Sequence, residues 1–236
     1  MFSDWFAYFW PQILSPMEVN PGMFNLPWFF VLLQPLRLLG ASGALIIVEV
    51  ITLLVVILLA CKLRLPFLKT FFVIFSPPVL WCLFMGQIDG LVLAAYLLPS
   101  AGALFLTLVK PQILIAYGIE VIWRRPRLMM WVLLLVLSAW LIWGWPLSVQ
   151  HVPFDGRMAD IRSWNWSFWP WGLCLVPLLL IRDLRVGMLV SPFIFPYAGL
   201  QSLIGPVLVL AELPWKIFIP VWLLLWVRWA FMVHLF

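Results

Sequence analysis

SPPVLWCLFMGQIDGLVLAAYLLPSAGALFLTLVKPQ, residues 76–112, decides how this chain is read. It is apolar almost throughout, yet it is cut at Pro77-Pro78, Gly86-Gln87, Asp89-Gly90, Pro99-Ser100 and Lys110-Pro111. Unbroken apolar runs without alternation select helix over a half-buried strand. Proline lacks an N–H and collides with the preceding turn, so it divides such a run into short pieces. Residues 88–98 and 101–109 therefore read as two short helices joined at Pro99-Ser100-Ala101-Gly102, hence antiparallel neighbours. Asp89 lies ten positions before Pro99, and Lys110 ten after Ser100. Equal distances from the turn put the two charges at similar depth, roughly 15 Å along each helix. They form either an ion pair that holds the hairpin together or two poles of one functional polar cavity. Gln87 adds a polar side chain at the same end, and Pro111 frees a carbonyl one turn earlier.

Working outward, the composition is that of a chain made for lipid. Residues are 66% hydrophobic and 10% charged, with mean hydropathy +1.12, where an ordinary soluble domain is nearer half apolar and a quarter charged. Apolar segments follow one another along the chain: 27–39, 42–61, 66–85 broken at Ser76-Pro77-Pro78, 88–98, 101–109, 111–123, 128–145, 168–181, 186–200, 203–212 and 217–235. A bilayer core of about 30 Å takes roughly 20 helical residues, and shorter broken helices survive at that depth only where protein or an aqueous cavity covers them. The expectation is an all-α, polytopic transmembrane helical bundle with short broken helices in its middle. It forms a single transmembrane domain over 1–236, located in the plasma membrane as a multi-pass protein, with membrane lipid and a membrane protein as partners. Residues 1–25, where aromatics alternate with Asp4, Glu18 and Asn20, read as an interfacial outer segment, and 146–167 as an outer loop.

The net charge of +5 sits in short basic clusters between apolar runs: Lys62, Arg64 and Lys69; Arg124, Arg125 and Arg127; Arg182 and Arg185. That is the pattern of cytoplasmic loops and not of a nucleic-acid face. No signal peptide is visible after Met1, so the first span would serve as insertion signal. Cys61, Cys82 and Cys174 stand singly and read as packing residues. Glu49 is alone inside 42–61, placed to face the central cavity or a distant arginine. Glu120 and Arg124 have the i,i+4 spacing of a simple helix pair. His151 and His234 have no partner at metal-ligand spacing, and no metal site, nucleophile triad or phosphate loop is apparent.

Gly86-Gln87-Ile88-Asp89-Gly90, then Ala101-Gly102, then Leu108-Val109-Lys110-Pro111-Gln112, resembles the pattern of membrane glycosyltransferases of the GT-C class. The type it is most similar to is the bacterial polyprenyl-phosphate-mannose-dependent α-mannosyltransferase family. Asn25-Leu26-Pro27-Trp28 with Gln34-Pro35-Leu36, and Ser191-Pro192 with Pro196-Tyr197, look like that family's flanking segments. The resemblance implies a GT-C-like fold and transfer of a mannose-like hexose from a polyprenyl-phosphate sugar, the lipid-linked donor, to an acceptor on the outer face. It makes Asp4 the catalytic base, with Glu18 in reserve. Lys110 would meet the donor phosphate, with Gln87, Asp89 and Gln112 lining the cavity. The chain departs from the family in starting at the acidic loop, in Leu26 for the first paired proline and in Ala198 for the late aspartate. Those departures support the alternative of a non-catalytic relative serving as membrane scaffold or subunit. A small-solute transporter, drawing on the same broken helices, is the second alternative.

Overall fold

The computed structural model describes residues 4–18, 25–144, 165–196 and 198–234; the expected loop 146–167 with His151, and Tyr197, lie wholly or largely outside them. The described residues are helical, with no strand among them. A π-helical turn, Trp5–Phe9, runs into α1, Trp10–Leu14. Then come α2, Pro27–Leu33, a 3-10 stretch Gln34–Leu39, and the long α3, Gly40–Lys62. The broken middle resolves into α4 Phe67–Ile74, α5 Pro77–Met85, α6 Asp89–Leu93, α7 Ser100–Val109 and α8 Pro111–Arg124. α9 is Leu128–Trp143. The C-terminal part holds the 3-10 helix Trp171–Ile181, α10 Leu184–Ile194, a 3-10 turn Leu200–Leu203, α11 Ile204–Leu210 and α12 Trp215–His234.

The breaks fall where residue chemistry puts them. Pro27, Pro77 and Pro111 each open a helix at its first turn, where a missing N–H costs nothing. α4 and α5 meet at Ser76 with a bend of 47°. One core cluster joins Trp5, Phe9 and Ile13 of the N-terminal turns to Phe30, to Val48 and Leu59 of α3, and on through Ile88, Leu114 and Leu208. The Trp5 indole donates to the Ala41 carbonyl at 3.0 Å, which fastens the N-terminal segment to the start of α3. Trp5, Phe9 and Ile13 are therefore packed into the core.

This architecture corrects the expected polytopic transmembrane bundle. Among the described residues one helical stretch, Pro27–Lys62, is long and apolar enough to cross a membrane, and 44% of its most apolar window is buried inside the protein. Counting the bent pair Phe67–Ile74 and Pro77–Met85 as one span raises the number to two. Five further apolar helices, Ser100–Val109, Leu128–Trp143, Trp171–Ile181, Leu184–Ile194 and Leu200–Leu210, have 10–17 residues. At about 1.5 Å per residue, the 16 residues of α9 reach roughly 24 Å, short of a bilayer core of about 30 Å. Apolar run length counted residues as though each run were one straight helix, whereas the prolines and a 3-10 helix at Trp171–Ile181 shorten or redirect them. The multi-pass plasma-membrane location rested on that number of crossings and goes with it, as do membrane lipid, a membrane protein and a lipid-linked sugar donor as partners.

The basic clusters are also corrected. Lys69 is buried, donates to the Leu213 carbonyl at 2.6 Å, and sits 5.4 Å from the Trp215 ring centre. Lys62 donates to the Tyr96 carbonyl at 2.6 Å, and Arg124 to the Arg182 carbonyl at 2.9 Å. Each cation meets a carbonyl released at the end of a helical element, the position where cations are favoured. Helix-end chemistry accounts for these three residues, with no need of a membrane side.

Candidate functional site

The polar centre of the molecule is built from two chain breaks and the N-terminal segment. Gly86 closes α5 in the left-handed conformation, φ +64°, and a Cβ there would lie 2.6 Å from Trp5 Cβ. Only glycine allows both the turn and the approach of the N-terminal segment. The reversal delivers Gln87 and Asp89 to the head of α6. Behind Asp89, Gly90 lies against α3 so closely that a Cβ would be 2.2 Å from Thr52 Cγ2. At the second break, Pro111 begins α8 and holds Lys110 extended, at φ −141° and ψ +82°, between α7 and α8. The third element is the start of the chain, with Asp4 just ahead of the π-helical turn.

These breaks bring four of the sequence-nominated residues together. The Lys110 ammonium forms an ion pair with the Asp89 carboxylate and donates to Gln87 Oε1 at 3.0 Å. The Gln87 amide nitrogen in turn donates to the Asp4 carboxylate. Asp89 is 0% exposed and Lys110 6%. The Ser202 hydroxyl reaches the second Asp89 oxygen at 3.4 Å, and the Phe9 ring centre lies 5.9 Å from Lys110 Nζ. Of the two arrangements open at the level of sequence, the charges adopt the ion pair. A relay Asp4–Gln87–Lys110–Asp89–Ser202 thus ties together the N-terminus, both central breaks and the 3-10 turn before α11.

Two nominated residues stand apart. Glu18 is exposed, and its backbone carbonyl accepts from Gln12 at 2.5 Å. Gln112 is half-buried in the first turn of α8 and makes none of the relay's hydrogen bonds. Glu49 has no ion pair among the described residues, and partial burial pushes its carboxyl up from the usual range. Glu120 and Arg124 pair at 2.5 Å at the spacing read from the sequence. Sequence reasoning missed Ser202, Phe9 and Cys82. The Cys82 thiol donates to the Gln87 carbonyl at 3.5 Å, and burial, with the Asp89 charge second, pushes it up to about 12. Nothing local marks these three: Ser202 lies 113 positions from its carboxylate partner.

Compared with known proteins, the chain matches no family model, no curated protein and no solved structure. The GT-C resemblance is corrected accordingly: the all-helical fold with its single long apolar stretch is not a polytopic GT-C bundle. The motif residues that suggested it have local duties. Gly86 caps α5, Pro111 starts α8, and the buried Ser191 hydroxyl accepts from the Ala116 N–H at 3.1 Å while donating to the Gly187 carbonyl at 2.8 Å, which seats α10 on α8. Short motifs made of turn-formers recur wherever helices are broken in this way. The glycosyl-transfer reading falls with the bundle, and so do the membrane scaffold and the transporter.

Proposed function

We propose that this protein is a self-associating helical assembly protein, whose Lys110 relay clamps the fold while apolar helix ridges join one copy to another. The carrying observation is the outer face of α9. This helix is held to the body along one side: Trp28 donates to the Ser138 hydroxyl at 2.9 Å, Trp28 packs edge-on to Trp143 at 4.9 Å, and Ala139 is buried. On the opposite side Met130, Leu134, Leu137 and Leu141 stand 66%, 51%, 49% and 69% exposed. Their spacing of i, i+4, i+7 and i+11 makes one straight ridge, the form by which helices pack together. α3 repeats the pattern with exposed Ile47, Ile51, Leu54 and Leu58. Contiguous apolar surface of this kind marks an interaction site, and α9 is too short to be explained by crossing a bilayer. A second copy carries the same α9 ridge, so α9 packs against α9 of another copy in a two-fold contact.

The relay plays the other part. Its cation is already partnered by a carboxylate and an amide oxygen, so it fastens elements together and leaves no free charge for a ligand. Size-exclusion chromatography with light scattering tests the reading. Wild-type protein is expected as an oligomer, and Leu134→Glu/Leu137→Glu as a monomer with unchanged helix content. A wild-type monomer, or an oligomer indifferent to both charges, overturns it.

A further inference from the structure

We infer that the end of the molecule opposite the Lys110 relay binds single-stranded nucleic acid. The basic residues stand in short, separate clusters along the sequence, and the fold joins those clusters into one face. Lys69, in the first turn of α4, donates to the Leu213 carbonyl just ahead of α12. Glu212, beside it, accepts from Arg185 of α10 at 2.6 Å. The Arg182 carbonyl, just before α10, accepts from Arg124 at the end of α8 at 2.9 Å. The 14 residues of α8, about 21 Å of helix, separate this face from Lys110. Nine of the chain's 14 lysines and arginines gather here with three of its nine acids, Glu120, Asp183 and Glu212, so the face carries more than the whole net charge of +5.

Two observations point to a bound polyanion. First, the three acids are paired with Arg124 and Arg185. Arg64, Arg125, Arg127, Arg182 and Lys216 are exposed and have no carboxylate partner among the described residues. Like charges gathered on one face attract counterions, which a chain of phosphates displaces. Second, Arg64 and Arg182 are the two non-glycine residues with positive φ among the described residues, at +57° and +54°. They stand at the ends of α3 and of the 3-10 helix Trp171–Ile181, where glycine is favoured because a Cβ is strained. Strained backbone of this kind clusters at functional sites, and here both instances carry a guanidinium on the basic face.

The side chains select the kind of polyanion. Guanidinium groups match phosphate oxygens two at a time. Exposed rings lie among them: Phe67, 86% exposed, three residues after Arg64, and Trp123, 53% exposed, with the Arg182 guanidinium 5.7 Å from its ring centre. Cations interleaved with exposed rings suit unpaired bases, which stack on the rings while their phosphates meet the charges. A duplex keeps its bases in its own stack, and an acidic peptide has none, so either would leave the rings without a role.

Fluorescence anisotropy of a labelled oligothymidylate of about 20 nucleotides provides the test. With the five free cations engaged, binding is expected to weaken about 100-fold between 50 and 200 mM salt, because log affinity falls by about 0.7 per phosphate contact for each tenfold rise in salt. Arg64→Gly/Arg182→Gly removes two charges and relieves both strained positions. This variant is expected to keep its thermal midpoint while the same salt interval weakens binding only about 20-fold. Phe67→Ala is expected to weaken binding about fivefold or more with the salt dependence unchanged. Undetectable or salt-independent binding, a glycine variant with the wild-type salt dependence, or a Phe67→Ala variant that binds like wild type overturns the inference. So does a duplex, or an oligoglutamate of equal charge, bound as tightly as the oligothymidylate.

Discussion

Removing the Lys110 ammonium tests the clamp most sharply. In Lys110→Met the methylene stem stays and the charge goes. Asp89, 0% exposed, is left with the Ser202 hydroxyl at 3.4 Å as its remaining side-chain contact. Breaking a buried pair on one side costs about 3–5 kcal/mol, because the other charge stays desolvated. Against a total stability of about 5–15 kcal/mol, that is a loss of a third or more for most values in the range. The Asp4–Gln87 bond also loses its anchor, since Gln87 is oriented by donating to one side and accepting on the other. Gln87→Ala, which leaves the ion pair, is expected to cost only about 1–2 kcal/mol. Lys110→Met/Asp89→Leu removes both charges, and replacing a whole buried pair by apolar groups is often close to neutral. The double variant should therefore be more stable than Lys110→Met alone. The assay is denaturant unfolding followed by fluorescence, for which the 17 tryptophans give ample signal. A Lys110→Met cost under about 1 kcal/mol, or a double variant equal to the sum of its singles, refutes the clamp.

Two further outcomes follow from the packing. Gly90→Ala should lower stability by about 1–3 kcal/mol through the clash with Thr52, and Thr52→Ala in that background should restore part of it; equal thermal midpoints for wild type and Gly90→Ala would contradict the close approach. With Cys61 and Cys174 exposed, and Cys82 buried with its thiol pushed up to about 12, a maleimide should label two thiols quickly and the third only on unfolding; three fast thiols in native protein would contradict the burial of Cys82.

Helix content and break points were legible in the sequence because they depend on local chemistry. Proline at a first turn and glycine in a left-handed cap act within a few residues, and they mark α5, α8 and the reversal at Gly86. The meeting of Asp89 and Lys110 followed from distances to a shared turn, although α6 ends at Leu93 and the symmetry of the two helices is only partial. What failed was the environment. Composition records how much apolar surface exists, not where it points. Val48, Val56 and Leu59 of α3 are buried against the core, while Ile47, Ile51 and Leu54 of the same helix face outward. A run of apolar residues looks alike in both cases. Basic clusters misled for a similar reason: Lys69 is buried against a helix end contributed by Leu213, 144 positions away. Ser202 reaches Asp89 across a comparable separation, so no local pattern could announce it.

Self-association requires α9 to meet α9 of another copy through its outer ridge. Cysteine cross-linking in a background with Cys61, Cys82 and Cys174 replaced by alanine reads this directly. Leu137→Cys, on the exposed ridge, should yield a disulfide-linked dimer under mild oxidation at dilute protein concentration, and Leu98→Cys, exposed at the end of the α6–α7 connection, should not. A Leu137→Cys protein that stays monomeric, or that cross-links no better than Leu98→Cys, contradicts the assembly reading.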